Sequence, residues 1–321
     1  MIFPGRRGRN SLWGTLGMAL GEKLASRELP RVPEPEAMAE ASGVSAFDRE
    51  GMADGALLPV YHFNAMALSR MLPRGGRLLD LGSGSGRFLA YLAERRPDVS
   101  VVGLELSETM AGTGRRALAA AGLDGRVSIE VGDMTELGSS WERLGGRFDA
   151  VSCVYALHHL PDEELLAGCL AQVAAVRARC GAGVWIFDHA RPRGASTAAL
   201  FPEIFTPEAP EAFRRDSRNS LRASFSFEEL GGAVESALGP AGHALARVLP
   251  VFQAHWIEPG GGWPGAGESC WREGRLPVRA RFGLAQLRLA MRGAPWSGRT
   301  SPGPARAGCD QPFPAGFASS K

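Results

Sequence analysis

Lysine is almost missing from this chain: among 321 residues it occurs only as Lys23 and Lys321, so the basic side chains are nearly all arginine. Lys and Arg total 36 against 34 Asp and Glu, and the formal charge of +2 offers no basic module to hold a phosphate backbone. No nucleic-acid partner is expected. The five cysteines, Cys153, Cys169, Cys180, Cys270 and Cys309, include no C-x-x-C pair and no histidine at finger spacing. That excludes a disulfide frame and a zinc finger, predicts reduced thiols in a cytoplasmic protein, and gives no reason to expect a metal. No run reaches the ~18 apolar residues of a membrane span, so no stable membrane insertion is expected. Arg6, Arg7 and Arg9 precede Leu12 to Leu20 as in a signal peptide, but that segment is interrupted by glycine and lacks a clean small-x-small cleavage site.

What the chain does have is length for one large α/β domain with appendages, and a central stretch from Arg77 to Arg87 reading Arg-Leu-Leu-Asp-Leu-Gly-Ser-Gly-Ser-Gly-Arg. Leu78, Leu79 and Leu81 suit a parallel strand buried on both faces. Gly82, Gly84 and Gly86 then remove every second side chain, so a ligand can approach the backbone, including that of Ser83. The segment from Phe88 reads as a helix whose positive N-terminal end faces whatever lies above the glycines. Dinucleotide turns use G-x-G-x-x-G, whereas here the glycines alternate and Asp80 precedes them by two residues. A carboxylate beside a pyrophosphate is repelled; beside a cation it is favourable.

Residues 1–45 lack a sustained period, with Pro30, Pro33 and Pro35 making an extended connector, and read as a disordered lead-in. From Leu57 to Leu72 a helix is predicted, with Leu58, Tyr61, Ala65, Leu68 and Met71 on one face, ended by Pro73 and Gly75-Gly76. Lying over the glycine loop, it would offer Tyr61, His62 and Asn64 as polar contacts, or carry them incidentally as a surface helix. Asp98 to Glu105 is a second strand ending in an acid, nineteen residues past Gly86. At the end of the strand beside the first, Glu105 is placed to accept ribose hydroxyls. A helix begun by Ser107 and closed by Gly122 follows, with Met110 and Ala111 inside. Val127 to Val131 alternates as a third strand and ends in Gly132-Asp133-Met134, where Asp133 can accept an adenine amino group and Met134 can lie on the ring face. Phe148 to Val154 is a fourth strand, leaving through Tyr155-Ala-Leu-His158-His159-Leu-Pro-Asp162.

Taken in order, Asp80-Leu-Gly-Ser-Gly-Ser-Gly86, Gly103-Leu-Glu105-Leu106-Ser, Gly132-Asp133-Met134 and Phe148-Asp149 to His158-His159-Leu-Pro-Asp resemble the four signature motifs of class I methyltransferases. The resemblance covers residues 76 to about 190 and is greatest to the small-molecule branch that includes the ubiquinone and menaquinone biosynthesis enzymes. It implies a doubly wound, mostly parallel seven-stranded sheet with helices on both faces and S-adenosylmethionine as cofactor. Its implied cofactor contacts are Asp80, Gly82, Ser83, Gly84, Gly86, Glu105, Leu106, Asp133, Met134, Val154 and Tyr155, and its implied partner is a small-molecule acceptor. Residues 46–258 then form the methyltransferase domain, with the 57–72 helix as cover and an acceptor-side insertion near 191–220.

In that insertion Phe201, Phe205, Phe213, Arg214, Arg215, Asp216 and Asn219 are candidates for acceptor contact, or else a helical cover packing Phe201 and Phe205 inward. Gly183 to Asp188 is a fifth strand, Ser226 opens a helix with Glu229 three residues on as a capping box, and His243 to Ile257, broken at Pro250, supplies two antiparallel edge strands. Tyr155, Trp185 and Phe187 can stack on a flat acceptor, though on buried strands they suit the core. Residues 259–321 are rich in Gly, Pro and Arg and read as a largely disordered tail, with one stripe of Val278, Phe282, Ala285 and Leu289 beside arginines that would suit a membrane surface or partner. Its deletion is expected to leave cofactor affinity unchanged.

Methyl transfer is largely positioning, so no strong nucleophile is required of the protein. Where the acceptor carries a proton, His158 is the best-placed base and His189 the next, with His159 assigned a packing role. Three other readings remain. A nicotinamide-dependent oxidoreductase shares the fold class but is opposed by Asp80 and the glycine spacing. A macromolecular methyltransferase acting on RNA, DNA or protein is opposed by the lack of an Asn-Pro-Pro-Tyr motif after the fourth strand. A non-catalytic scaffold is opposed by the intact acids and glycines at every expected strand end. Neither the acceptor nor the oligomeric state is legible.

Overall fold

Leu78, Leu79 and Leu81 are fully buried because strands flank them on both sides and helices cover both faces. The structure, a computed structural model, describes residues 8–25, 29–34, 55–263, 270–272 and 274–293. Its sheet is built from β1 Arg77–Leu81, β2 Ser100–Glu105, β3 Val127–Val131, β4 Ala150–Val154, β5 Gly183–His189, β6 Gly242–Leu245 and β7 Phe252–Ile257. The seven strands run in the order β3-β2-β1-β4-β5-β7-β6, with β7 antiparallel to both β5 and β6. The chain reverses direction across the sheet between β1 and β4, and an open α/β sheet has its ligand crevice at such a switch point.

The helices are α1 Gly8–Leu24, α2 Leu58–Met71, α3 Arg87–Arg95, α4 Glu108–Ala120, α5 Leu137–Leu144, α6 Glu163–Cys180, α7 Ala195–Phe205, α8 Glu211–Ala223, α9 Phe227–Leu238 and α10 Val278–Ala290. Their ends follow the expected signals. Ser107 accepts the Met110 N–H at 3.3 Å to start α4, and Ser226 and Glu229 form the reciprocal capping box of α9. Cys153, Cys169 and Cys180 are buried free thiols and Cys270 is a half-buried one, while Cys309 lies outside the described residues. No described helix is long and apolar enough to cross a membrane.

Three features depart from the sequence expectations. Within residues 1–45, read as a disordered lead-in, residues 8–24 are helical: Met18 of α1 is buried in a small core with Phe201 of α7 and Leu221 of α8. Glu22 of α1 then accepts the N–H of Gly194 at 2.9 Å and the hydroxyl of Thr197 at 2.8 Å, so an acid from one helix caps the start of another. Local periodicity carried no sign of this because the partner lies far along the chain.

Within residues 259–321, read as a tail, α10 packs across the outer face of α2. Gly283 lies so near Pro59 that a Cβ there would come within 2.9 Å of its ring. The buried face of α10 is Ala280, Leu284 and Leu287, continued by Met291; Val278 and Leu289 of the predicted stripe point to solvent, at 78% and 44% exposed. The rest of both terminal segments lies outside the described residues.

Because α10 covers it, α2 is buried nearly all round, and its His62 and Asn64 side chains are satisfied inside the protein. His62 bonds the Tyr91 hydroxyl at 2.7 Å, and Asn64 accepts the Trp185 indole N–H at 2.7 Å. Arg96, fully buried, donates to the carbonyls of Ser69 and Pro73 at 2.8 and 2.9 Å and pairs with Asp98, tying the C-terminus of α2 to the start of β2.

Candidate active site

Gly82, Gly84 and Gly86 all have positive φ, at 72°, 57° and 70°. A Cβ on Gly82 would collide with Ala156 and one on Gly86 would lie 2.7 Å from Ile129, whereas a Cβ on Gly84 would meet only Met110 at 3.5 Å. The outer two glycines therefore let the loop pack tightly, and the middle one leaves the cavity side of the turn clear. Gly86 caps α3 and lies outside the cavity lining.

A cavity of about 620 Å³ opens above this turn, in the size range of small-molecule sites. Asp80, Gly82, Ser83, Gly84, Glu105, Leu106, Asp133, Met134, Val154, Tyr155 and His158 all line it, so the cofactor contacts implied by the resemblance, except Gly86, lie there together with the candidate base. The Ser83 hydroxyl is turned down toward the strand, 2.5 Å from where a Gly103 Cβ would stand, so only the backbone side of Ser83 serves the cavity. Glu105 Oε2 accepts the Gly84 N–H at 2.8 Å and Oε1 the Ser107 N–H at 2.9 Å. Each oxygen retains a lone pair. Asp133 Oδ1 accepts both the N–H and the hydroxyl of Thr135 at 2.7 Å, leaving Oδ2 available.

Asp80 is buried and accepts a hydrogen bond from Ser152. Burial raises its carboxyl pKa to about 7, the Ser152 bond pulling down and the nearby Glu105 charge pushing up. The Glu105 pKa is raised as well, by burial, against the backbone N–H groups it accepts from. Two crowded acids with raised pKa values suit a cationic ligand and disfavour a pyrophosphate.

On the far side, the Leu157–His159 turn after β4 sets His158 against Asp188 at the end of β5. Nδ1 lies 2.6 Å from Asp188 Oδ1, and the His158 backbone N–H donates to Oδ2 at 3.0 Å. Burial lowers the His158 pKa, but the charge and hydrogen bond of Asp188 outweigh it and leave it raised. Asp188 is lowered: burial pushes it up, and His158 overcomes that. His159 and His189 fall to about 3 and about 4, through burial first and the His158 charge second, so both are neutral. His189 stacks on Tyr155 at 4.6 Å between ring centroids. Tyr155, at φ 57°, is the single described non-glycine residue with positive φ, a strained conformation that turns it at the mouth of β4.

The far side of the cavity is walled by helices outside the parallel sheet. Phe201 and Phe205 of α7, Phe213 and Asp216 of α8, and Leu287 of α10 line the cavity, with Phe252 of β7. Arg214, Arg215 and Asn219 do not line it; Arg214 pairs with Glu203 and Glu211. Tyr61 does, while His62 and Asn64 do not, and Trp185 and Phe187 are core. Sequence reasoning missed the site role of Asp188, although a strand-end acid after β5 was the available signal. It also missed residues 29–34, an extended strap. There Arg31 donates to the carbonyls of Ala223 and Pro161 at 2.6 Å and to that of Leu160, and Glu34 is brought beside His159. Nothing local marks that strap.

This sheet order, with a glycine turn at the switch point and acids at the ends of β1, β2 and β3, defines the class I methyltransferase fold. A family model described as a methyltransferase domain matches residues 78–181, and over that stretch the chain is similar to S-adenosylmethionine-dependent methyltransferases. Among curated relatives it is 36% identical over 97 residues to 27-O-demethylrifamycin SV methyltransferase of Amycolatopsis mediterranei, covering 30% of this chain and 34% of the relative. It is 32% identical over 154 residues to dTDP-3-amino-3,6-dideoxy-alpha-D-glucopyranose N,N-dimethyltransferase of Streptomyces fradiae, covering 46% of this chain and 50% of the relative. A third, the ubiquinone biosynthesis O-methyltransferase of Xanthomonas axonopodis, is 30% identical over 34% of this chain and 45% of its own length. The chain thus spans half or less of the length of these relatives. The plantazolicin methyltransferase BpumL, solved with a monoazolic desmethylPZN analog and SAH, shares the fold at a TM-score of 0.51 and 11% identity, over 79% of this chain and 99% of that one.

Proposed function

We propose that this chain transfers a methyl group from S-adenosylmethionine to a small, largely apolar acceptor. The observation that carries this reading is that one cavity joins the glycine turn with Asp80, Glu105 and Asp133 to the Asp188-backed His158. A single ligand held on the acids can therefore reach an acceptor held among the aromatics. The groups present fit the cofactor: open backbone at Gly84, lone pairs on Glu105 and Asp133, and two buried acids for its positive charge.

When bound, S-adenosylmethionine supplies a methyl carbon on a cationic sulfur that departs as a neutral thioether. Glu105 would hold its ribose hydroxyls, Asp133 would accept its adenine amino group, and Met134 would pack on the ring. Phe201, Phe205, Phe213 and Phe252 hold the acceptor and exclude water. His158 Nε2 would take the proton that an acceptor oxygen or nitrogen loses when it is methylated. Asp188 keeps Nδ1 protonated, so Nε2 is the basic atom. Fixing nucleophile and methyl carbon in line contributes about 7–11 kcal/mol in well-oriented systems, the larger share of the catalysis asked of this site.

The similarity to enzymes named for 27-O-demethylrifamycin SV, for ubiquinone biosynthesis and for a dTDP-amino sugar supports a small acceptor, as does the formal charge of only +2. Calorimetric titration with S-adenosylmethionine, S-adenosylhomocysteine and NADH tests the reading. Micromolar binding of the two adenosyl ligands is expected, and binding of NADH alone would overturn it.

A further inference from the structure

Beside the base assigned above sits a group of side chains that methyl transfer does not require. Glu34, at the end of the 29–34 strap, meets His158 and His159 so that one ligand atom from each lies within 4.8 Å of the other two. His159 Nδ1 is 3.3 Å from Glu34 Oε2, and the two imidazoles are 4.2 Å apart between centroids. His159 Nδ1 and Glu34 Oε1 are both buried and have no hydrogen-bond partner. Unpaired polar atoms at such depth are costly unless something fills the gap between them.

The surroundings have the form of a metal site. His158 gives Nδ1 to the Asp188 carboxylate at 2.6 Å, the outer-sphere arrangement that fixes the tautomer and orientation of a ligating imidazole and leaves Nε2 its free lone pair. Arg31 anchors the strap carrying Glu34 to the same turn, through the carbonyls of Pro161 and Leu160, so the carboxylate is held by a structured segment. Both histidines line the cavity, which leaves open positions on the acceptor side. Two imidazoles and one carboxylate suit zinc-class ions; magnesium and calcium call for all-oxygen sets.

We propose that Glu34, His158 and His159 bind one divalent cation of the zinc class, with Asp188 orienting His158 from outside. The lone pair the ion takes on His158 is the one that accepts the acceptor's proton in the reading above. In that consequence alone the inference rests on that reading: metal loading and base catalysis by His158 exclude each other, so the ion acts as an inhibitor relieved by chelation. The sequence carried no hint of the site, because Glu34 stands in a connector far from the histidine pair.

The test is titration of the chelator-stripped full chain with cobalt(II), followed by its visible absorption. One ion per chain is expected, with affinity falling about tenfold or more in Glu34→Gln and in His159→Gln. Glu34→His, which keeps a donor, is expected to bind cobalt with a displaced absorption band. S-adenosylhomocysteine binding by each variant reports that the fold survives. Absence of stoichiometric binding below roughly 100 µM cobalt, or wild-type affinity in either glutamine variant, overturns the proposal. Cobalt binding without S-adenosylhomocysteine binding would instead sink the methyl-transfer reading and leave the metal site standing.

Discussion

Glu105 holds Gly84 and Ser107 together, its two carboxylate oxygens each accepting one backbone N–H, so that the end of β2 fixes both the glycine turn and the start of α4. Removing it deletes the two bonds that shape the turn and, on the proposed function, the contacts to the ribose. For Glu105→Ala, S-adenosylhomocysteine affinity is expected to fall about 10- to 150-fold, on about 1.5–3 kcal/mol for a charge-assisted hydrogen bond. Calorimetry checks this, and wild-type affinity in the variant would remove Glu105 from the cofactor site.

Asp80 should report ligand binding as a proton. With a free-protein pKa of about 7, it is about half protonated at neutral pH, and a cation beside it favours the charged form. Binding S-adenosylmethionine at pH 7 should release roughly half a proton, measurable as a dependence of the calorimetric heat on buffer ionisation enthalpy. The sign for stability follows. A carboxyl raised from 3.8 to about 7 in the fold makes the free protein lose stability as pH climbs through that window. The rise in melting temperature on adding the cofactor should therefore grow from pH 5 to pH 8, and a flat response would contradict this account of Asp80.

The His158–Asp188 pair predicts the acid limb of the rate profile. For an acceptor that loses a proton, activity should rise with pH through a midpoint above the usual 6.5 of histidine, since Asp188 holds the pKa up. Asp188→Asn removes that charge and leaves burial to act, so the midpoint should drop and turnover should fall by about 10²–10⁴. His158→Ala with unchanged turnover at every pH would take His158 out of the mechanism.

The α10 segment offers a stability test. Leu287 is buried against α2 and borders the cavity. Leu287→Ala is expected to cost about 2–5 kcal/mol of unfolding free energy, read from denaturant melts. Ending the chain at Glu258 should lower the melting temperature and weaken cofactor binding, against the expectation from composition that this segment is dispensable. A truncated chain as stable as the full one would show the packing to be inconsequential.

The parallel sheet and the floor of the site were legible because they are written locally. Five apolar runs stand at the spacing of βα units, four of them ending in an acid or glycine, and each candidate functional group sits within a few residues of its strand end. What was missed is non-local. The pairing of Asn64 with Trp185, the cap of α7 by Glu22 and the cover of α2 by α10 join segments with no sequence relationship between them. The stripe of α10 was misread for a specific reason. Val278, Phe282, Ala285 and Leu289 are apolar at helical spacing, but the face that meets Pro59 and α2 is Ala280, Gly283, Leu284 and Leu287, chosen by close approach over hydrophobicity. Glu34 was invisible because an acid in a proline-flanked connector carries no periodicity.

The walls of the cavity come from α1, α2, α7, α8 and α10 with Phe252 of the antiparallel β7, none of which belongs to the parallel strands that carry the acids and the glycine turn. Floor and walls can therefore be altered separately. Exchanging Phe201, Phe205 or Phe213 resizes the acceptor chamber without disturbing a hydrogen bond of the glycine turn, so a lineage of such chains can wander among acceptors while its methyl donor stays the same. An engineer seeking a new substrate would diversify those helices and leave the strand ends untouched.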